Sequence, residues 1–303
     1  MKATKQALIL TTFLLLIAKC LYAGEVRVLE QRHVLVLYEA RLGSAAGEVA
    51  EIYPATKAGL EGVFGWDFAL RPTVLLIMNR ERFRRMAESP ITVAFAVPGK
   101  NLIVIDYSRM NIHPFSLGNT LKHELCHLLL HHHIQGRLLP RWLDEGVCQW
   151  VSDGIGDILF DQKRSLLNKA AFRGRFIPLH ALKETFPRHK ESLILAYEES
   201  KSFIAHIIAR SGKEGLLKVL GRMKGGENVE VAILKGLSIP LEKLEKDWQQ
   251  SLRRKVTWFT YLSYHLYEIL FALMAFISIA AFIKIVLRKR AYAKEEDEAV
   301  GGF

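Results

Sequence analysis

His123 and His127 stand four residues apart, with Glu124 directly after the first, in the run Leu121-Lys122-His123-Glu124-Leu125-Cys126-His127-Leu128-Leu129-Leu130. The leucines make this a core-facing helix. Residues four apart on a helix lie about 40° apart around its axis, so both imidazoles face the same way. Two imidazoles and a carboxylate on a buried face cost several kcal/mol unless each finds a partner. A pair of satisfied core histidines is one solution. A Zn²⁺ ion held by both rings is the other, and it suits the H-E-x-x-H spacing. Glu124 then sits close enough to take a proton from water at the metal. Two ligands do not complete a zinc site, so the fold must return a second element to the same helix face.

Two positions compete to be the third ligand. His133 comes ten residues after His123, the spacing of the longer H-E-x-x-H-x-x-G-x-x-H motif. That arrangement needs a glycine at position 130 to break the helix, and Leu130 stands there. In a continuing helix His133 points about 80° away from His123. His131, His132 and His133 instead suit the negative end of the helix dipole, although His131 shares the stripe of His123 and His127. Glu145 lies in Trp142-Leu143-Asp144-Glu145-Gly146, beyond the breakers Gly136 and Pro140. An antiparallel helix starting there presents Glu145 to the imidazoles, giving a His₂Glu set that leaves the fourth position to water.

With H-E-L-C-H at 123–127 and W-L-D-E-G at 142–146, the chain resembles the gluzincin metallopeptidases of the peptidase MA-like group, which pair these motifs at about this separation. Tyr197-Glu198-Glu199-Ser200-Lys201-Ser202-Phe203 is similar to the helix that follows in that group, and 225–248 to its closing helices. The resemblance implies one Zn²⁺ per chain bound by His123, His127 and Glu145. It implies Glu124 as general base, passing its proton to the leaving amine. Related enzymes stabilise the tetrahedral oxyanion with a Tyr or His; Tyr197 is the candidate here, and a core aromatic is its other reading. Gln149 and Asp153, one and two turns after Glu145, are candidates to orient a ligand histidine. The strand at 102–105 or its partner at 92–97 is the implied edge for an extended peptide.

The ends of the chain set the compartment. Lys2 and Lys5 precede an apolar run over 7–18, and Leu21-Tyr22-Ala23 offers a small residue for cleavage, so 1–23 reads as a signal peptide. An uncleaved anchor is the alternative. Residues 269–283 carry no charge, and with Ile285, Val286 and Leu287 the run is long enough to cross about 30 Å of hydrocarbon. Trp258, Phe259, Tyr261, Tyr264 and Tyr267 supply an interfacial belt before it, and Arg288-Lys289-Arg290 follow it. The expectation is a transmembrane segment over 258–287, a cytoplasmic tail over 288–303, and a periplasmic or extracellular domain over 24–255. The formal net charge of +11 belongs to scattered residues without an aromatic-interleaved stripe, which argues against nucleic acid. Of three cysteines, Cys126 and Cys148 remain after cleavage. Two small buried side chains and a disulfide are both open.

Between these ends the pattern predicts strands over 33–38, 73–78, 91–97 and 102–105, with helices over 45–58 and 80–88. From 114 onward the periodicity is helical: 115–135 with Ser116 as N-cap, 141–151, 193–210, 213–223, 229–235 and 241–255. The expected fold is α+β, a small, mostly antiparallel sheet followed by a helical half, with one C-terminal transmembrane helix. The expected function is membrane-anchored, zinc-dependent hydrolysis of peptide or protein substrates. The alternative is a non-catalytic, peptidase-like sensor or assembly factor that binds a protein partner outside the cytoplasm.

Overall fold

The computed structural model describes residues 26–87, 89, 91–112, 115–152, 165–255, 262, 263 and 265–300, the last of these from 290 onward as backbone only. Signal-peptide residues 1–23, Asp153, and Trp258, Phe259, Tyr261 and Tyr264 of the aromatic belt lie outside that set. The chain forms two compact units, residues 1–250 and 251–303.

The first unit is α+β. Its strands are β1 (Val26–Glu30), β2 (Leu35–Glu39), β3 (Thr73–Ile77), β4 (Ala94–Val97) and β5 (Leu102–Asp106), in the order β1-β2-β3-β5-β4. β1 pairs antiparallel with β2, and β4 with β5; β2–β3 and β3–β5 are parallel. The sheet is therefore mixed, which corrects the expectation of a mostly antiparallel one. The physical reason is in β3 and β5. Both are apolar along nearly their whole length and buried on both faces, as central parallel strands are. Such strands need long crossovers, and α1 (Gly43–Phe64) makes the one from β2 to β3. It runs through Pro54 and Gly59, past the expected stop, and ends where Gly65 adopts φ +66° and caps Glu61. β1 extends the expected strand over 33–38 into a hairpin, Glu30 opposite Leu35.

A short helix, α2 (Arg80–Met86), follows β3, and after β5 the chain is helical. α3 (Leu117–His133) opens with Ser116 accepting a hydrogen bond from the Asn119 amide, which satisfies one orphan N–H of its first turn. α4 (Arg141–Val151) starts at Pro140, and the Arg141 amide donates to the Lys183 carbonyl at 2.8 Å. α5 (Leu166–Arg173) precedes α6 (Lys190–Lys224), which breaks at Gly212, φ +71°, into the two expected helices. α7 (Val229–Leu237) and α8 (Leu241–Lys255) close the unit. α1 packs on β2 and α3, α3 on α4, and α4 on α6. Trp142 of α4, Phe203 of α6 and Trp248 of α8 meet edge to face at 5.3 and 5.5 Å. Trp142, Phe203 and Trp248 are at most 1% exposed, and this cluster sets how α4 lies on the helical half.

The second unit holds α9 (Leu266–Val300). Its segment Leu266–Lys289 is 24 residues long, with an 18-residue stretch of mean hydropathy 2.6, long and apolar enough to cross a membrane. Tyr267, Phe271, Met274, Phe276 and Phe282 on it are exposed, which distinguishes it from a soluble core helix.

Candidate metal centre

α3 and α4 face each other across the two motifs. His123 and His127 leave one face of α3 with ring centroids 4.8 Å apart, and their Nε2 atoms lie 3.2 Å from one another. Glu145 of α4 brings Oε2 to 3.8 Å from His123 Nε2 and 3.7 Å from His127 Nε2. One ligand atom from each of the three lies within 4.8 Å of the others. Glu124, His127 and Glu145 are buried, and His123 is half-buried.

The surrounding hydrogen bonds fix which ring atoms carry lone pairs. His127 Nδ1–H donates to Asp144 Oδ1 at 2.8 Å, which leaves Nε2 as the acceptor face. His123 Nδ1 faces Ser152 Oγ at 3.4 Å, and that hydroxyl donates its own proton to the Cys148 carbonyl. Both Nε2 atoms and a carboxylate oxygen thus turn electron pairs toward one volume. Tetrahedral Zn²⁺ with bonds of about 2.0–2.1 Å to nitrogen separates two imidazole nitrogens by about 3.3 Å, close to the spacing seen here. The donor set fits the ion.

The charges lead to the same conclusion. Burial alone would depress the pKa of the His127 imidazole. The Asp144, Glu145 and Glu124 carboxylates outweigh burial and hold it well above the ordinary histidine range. A field that strong in favour of a bound proton also favours a cation in its place. Burial would raise the Glu145 carboxyl, but His123, His127 and Arg141 hold it below its usual range. Asp144 is likewise kept well below, against its burial, by His127 and His131. Glu124 behaves differently: burial pushes its carboxyl up, against the pull of both histidines.

Asp144 orients His127 and also accepts from His131 Nε2 at 2.8 Å, so His131 is engaged one layer behind the site. His133 donates from Nε2 to the Asp67 carbonyl and lies against Trp66, away from the imidazole pair. Gln149 is buried, and its amide nitrogen has no partner among the described residues. Asp144 was missed as an orienting residue; its place directly before Glu145, on the side of α4 that meets α3, was the available signal. Ser152 was missed too; its place seven residues after Glu145, close to two full turns of helix, was the available signal. Cys126 and Cys148 are free and buried. Cys148 Sγ lies 3.4 Å from His127 Nδ1, and burial, Cys126 and the nearby carboxylates push its thiol pKa well up.

Tyr197 of α6 is half-buried, with its ring edge-on to Phe186 at 5.1 Å. Burial and the nearby Glu145 carboxylate raise its hydroxyl pKa, while Arg141 opposes the rise by charge and hydrogen bonding. Arg141 Nε is 3.7 Å from Glu145 Oε1, and its guanidinium lies over the Phe186 ring at 5.2 Å.

A five-stranded mixed sheet carrying a two-helix H-E-x-x-H…W-x-x-E-G face defines a peptidase-like fold with the donor set of a metal centre. Residues 86–254, more than half the chain, match the model of the Peptidase MA superfamily, and the chain belongs to that superfamily. Among solved structures it is similar to Legionella pneumophila aminopeptidase A with aspartic acid bound (15% identity, TM-score 0.45, 74% of this chain and 27% of that one). It is also similar to yeast LTA4 hydrolase with bestatin (13%, 0.46, 78% and 39%) and to the M1 zinc metallopeptidase of Deinococcus radiodurans (16%, 0.42, 76% and 51%). The chain spans between about a quarter and a half of the length of those proteins. No curated protein matches it.

Proposed function

We propose that this chain is a zinc-dependent peptidase held in a membrane by α9. The observation that carries the reading is the convergence of His123 Nε2, His127 Nε2 and a Glu145 carboxylate oxygen beside the buried Glu124 carboxyl. What a zinc ion supplies when bound there is Lewis acidity toward a scissile carbonyl and toward water. Glu124 takes the proton of the attacking water and delivers it to the departing amine; a carboxyl with a raised pKa suits that shuttle near neutral pH. Tyr197, whose raised pKa keeps it a neutral donor, hydrogen-bonds the developing oxyanion. Asp144 and Ser152 hold the two imidazoles with Nε2 turned inward. The substrate is a peptide or protein.

The compartment belongs to the same proposal. A removed signal over 1–23 exports a domain over 24–255, the span at Leu266–Lys289 anchors it, and Arg288, Lys289 and Arg290 keep the tail from 288 in the cytoplasm. Full-length chain purified in detergent tests the chemistry. We expect one zinc per chain, loss of zinc in Glu145→Ala, and retention of zinc in Glu124→Gln with peptide hydrolysis lowered about 10²–10⁴-fold. Wild-type chain without zinc sinks the reading. Glu124→Gln with undiminished hydrolysis sinks the mechanism. Zinc bound without hydrolysis of any member of a peptide library leaves partner binding as the function.

A further inference from the structure

Arg141 stands at the first position of α4, one turn before Glu145. The two oxygens of the Glu145 carboxylate have different surroundings. Oε2 faces both imidazoles, and Oε1 faces the Arg141 guanidinium. The guanidinium is itself placed: it lies on the Phe186 ring, and Phe186 meets Tyr197 edge to face. The start of α4 is pinned by the bond from the Arg141 amide to the Lys183 carbonyl, three residues before Phe186. One cation therefore touches the third candidate ligand, and the aromatic ring beneath it carries the contact on to the candidate oxyanion donor.

We propose that Arg141 is a positioning residue that keeps Glu145 presenting a single carboxylate oxygen to the metal site and keeps the Tyr197 hydroxyl beside it. The proposal rests on the peptidase reading above. Its physical content is a competition. A divalent cation attracts both oxygens of a carboxylate, and a guanidinium on one of them opposes that. Without the guanidinium both Glu145 oxygens would be free to face a bound cation, which would be held at least as firmly and with less room for the attacking water. Removing a positive charge from the neighbourhood of a cation site acts in the same direction on affinity. The consequence is an opposed pair of effects that damage to the fold does not produce, because a loosened fold weakens metal binding and turnover together.

The test uses full-length chain in detergent. Zinc affinity is measured by competition with a chromogenic chelator, and kcat and KM are measured on one cleaved peptide. Arg141→Met keeps the stem on Phe186 and removes the charge; Arg141→Lys keeps the charge and loses the planar fork. We expect Arg141→Met to bind zinc as tightly as wild type or up to about tenfold more tightly, while kcat falls at least about tenfold with KM within about threefold. We expect Arg141→Lys to recover part of kcat. Zinc affinity falling in step with kcat overturns the proposal, as does an unchanged kcat in Arg141→Met. Wild-type chain that binds no zinc overturns the peptidase reading itself, and the chelator measurement on wild type separates the two failures.

Discussion

Gly146 follows Glu145 and sits where α4 presses on α6. A Cβ there would meet the Ser200 carbonyl oxygen at 2.6 Å, Ile204 Cγ1 at 2.7 Å and the Ser200 carbonyl carbon at 2.9 Å. Ordinary carbon contacts begin near 3.5 Å, so Gly146→Ala must part the two helices by close to an ångström or distort one of them. The principal obstacle is backbone, which no rotamer change relieves. Overpacking of this kind costs about 1–3 kcal/mol, and a backbone clash belongs at the upper end. Against it, alanine is better than glycine inside a helix by about 1 kcal/mol. The two effects have opposite signs, and the structure decides between them: a net loss of about 2 kcal/mol. For a domain of this size that lowers Tm by about 4–8 °C. Thermal unfolding of wild-type and Gly146→Ala chains in the same detergent, followed by circular dichroism, measures it. A variant as stable as wild type, or more stable, would refute the close approach and leave helix propensity in charge. Glu145 is the adjacent residue, so zinc affinity falls in the same variant.

Two further expectations concern buried carboxylates. Glu199 is buried on α6 and accepts the Ile177 amide, and burial raises its pKa to about 8. A folded-state pKa above the unfolded value of 4.5 means the protonated group stabilises the fold. That contribution is whole below about pH 4.5 and is lost as pH rises toward 8, on the order of a few kcal/mol. Glu199→Gln keeps an acceptor for Ile177 without the charge. It should flatten the fall in Tm between pH 5 and pH 8, and a slope equal to wild type would count against the burial argument. Asp144→Asn keeps a carbonyl for His127 Nδ1 and loses the charge shared by His127 and His131; chelator competition should show zinc affinity about tenfold weaker, and unchanged affinity would deny Asp144 its orienting role.

What the sequence discloses about this chain follows from how local each feature is. The bounds of α4, the Ser116 cap and the break at Gly212 depend on a few consecutive residues, and the pattern at 116–151 and 193–223 contains them. Strand pairing is not local. Residues 73–77 and 102–106 announce themselves as buried strands, yet whether they pair parallel depends on α1 crossing between β2 and β3. Glycine at 59 suggests a C-cap, so the pattern predicts an end to α1 there; the helix instead continues to Phe64 and stops where Gly65 takes the left-handed conformation. At the site, Leu130 in place of a helix-breaking glycine directs attention from His133 to Glu145, and the fold brings Glu145 to the imidazole pair and sends His133 to Asp67. The orienting residues were harder. Stepping along α4 from Glu145 suggests Gln149 and Asp153, but two turns are about 7.2 residues, and Ser152, seven residues on, is the one that faces His123 Nδ1. Asp144, directly before Glu145, is the one that meets His127 Nδ1.

Those contacts make the candidate metal centre a problem of two helices. The stretch 141–152 carries the guanidinium on Glu145, the carboxylate that orients His127, the third candidate ligand and the hydroxyl facing His123. All four functions therefore move together if α4 rotates or slides against α3. A slip of one residue would turn each side chain by about 100° and dismantle the site while leaving both helices intact. Three contacts remote from the imidazoles prevent it: Gly146 seated on Ser200, Trp142 enclosed with Phe203 and Trp248, and the Arg141 amide bound to Lys183. The W and the G of W-x-x-E-G are thus register-setting residues for the E between them. A perturbation of the α4–α6 packing reaches the candidate metal ligands through rotation of α4, without any change in those residues themselves.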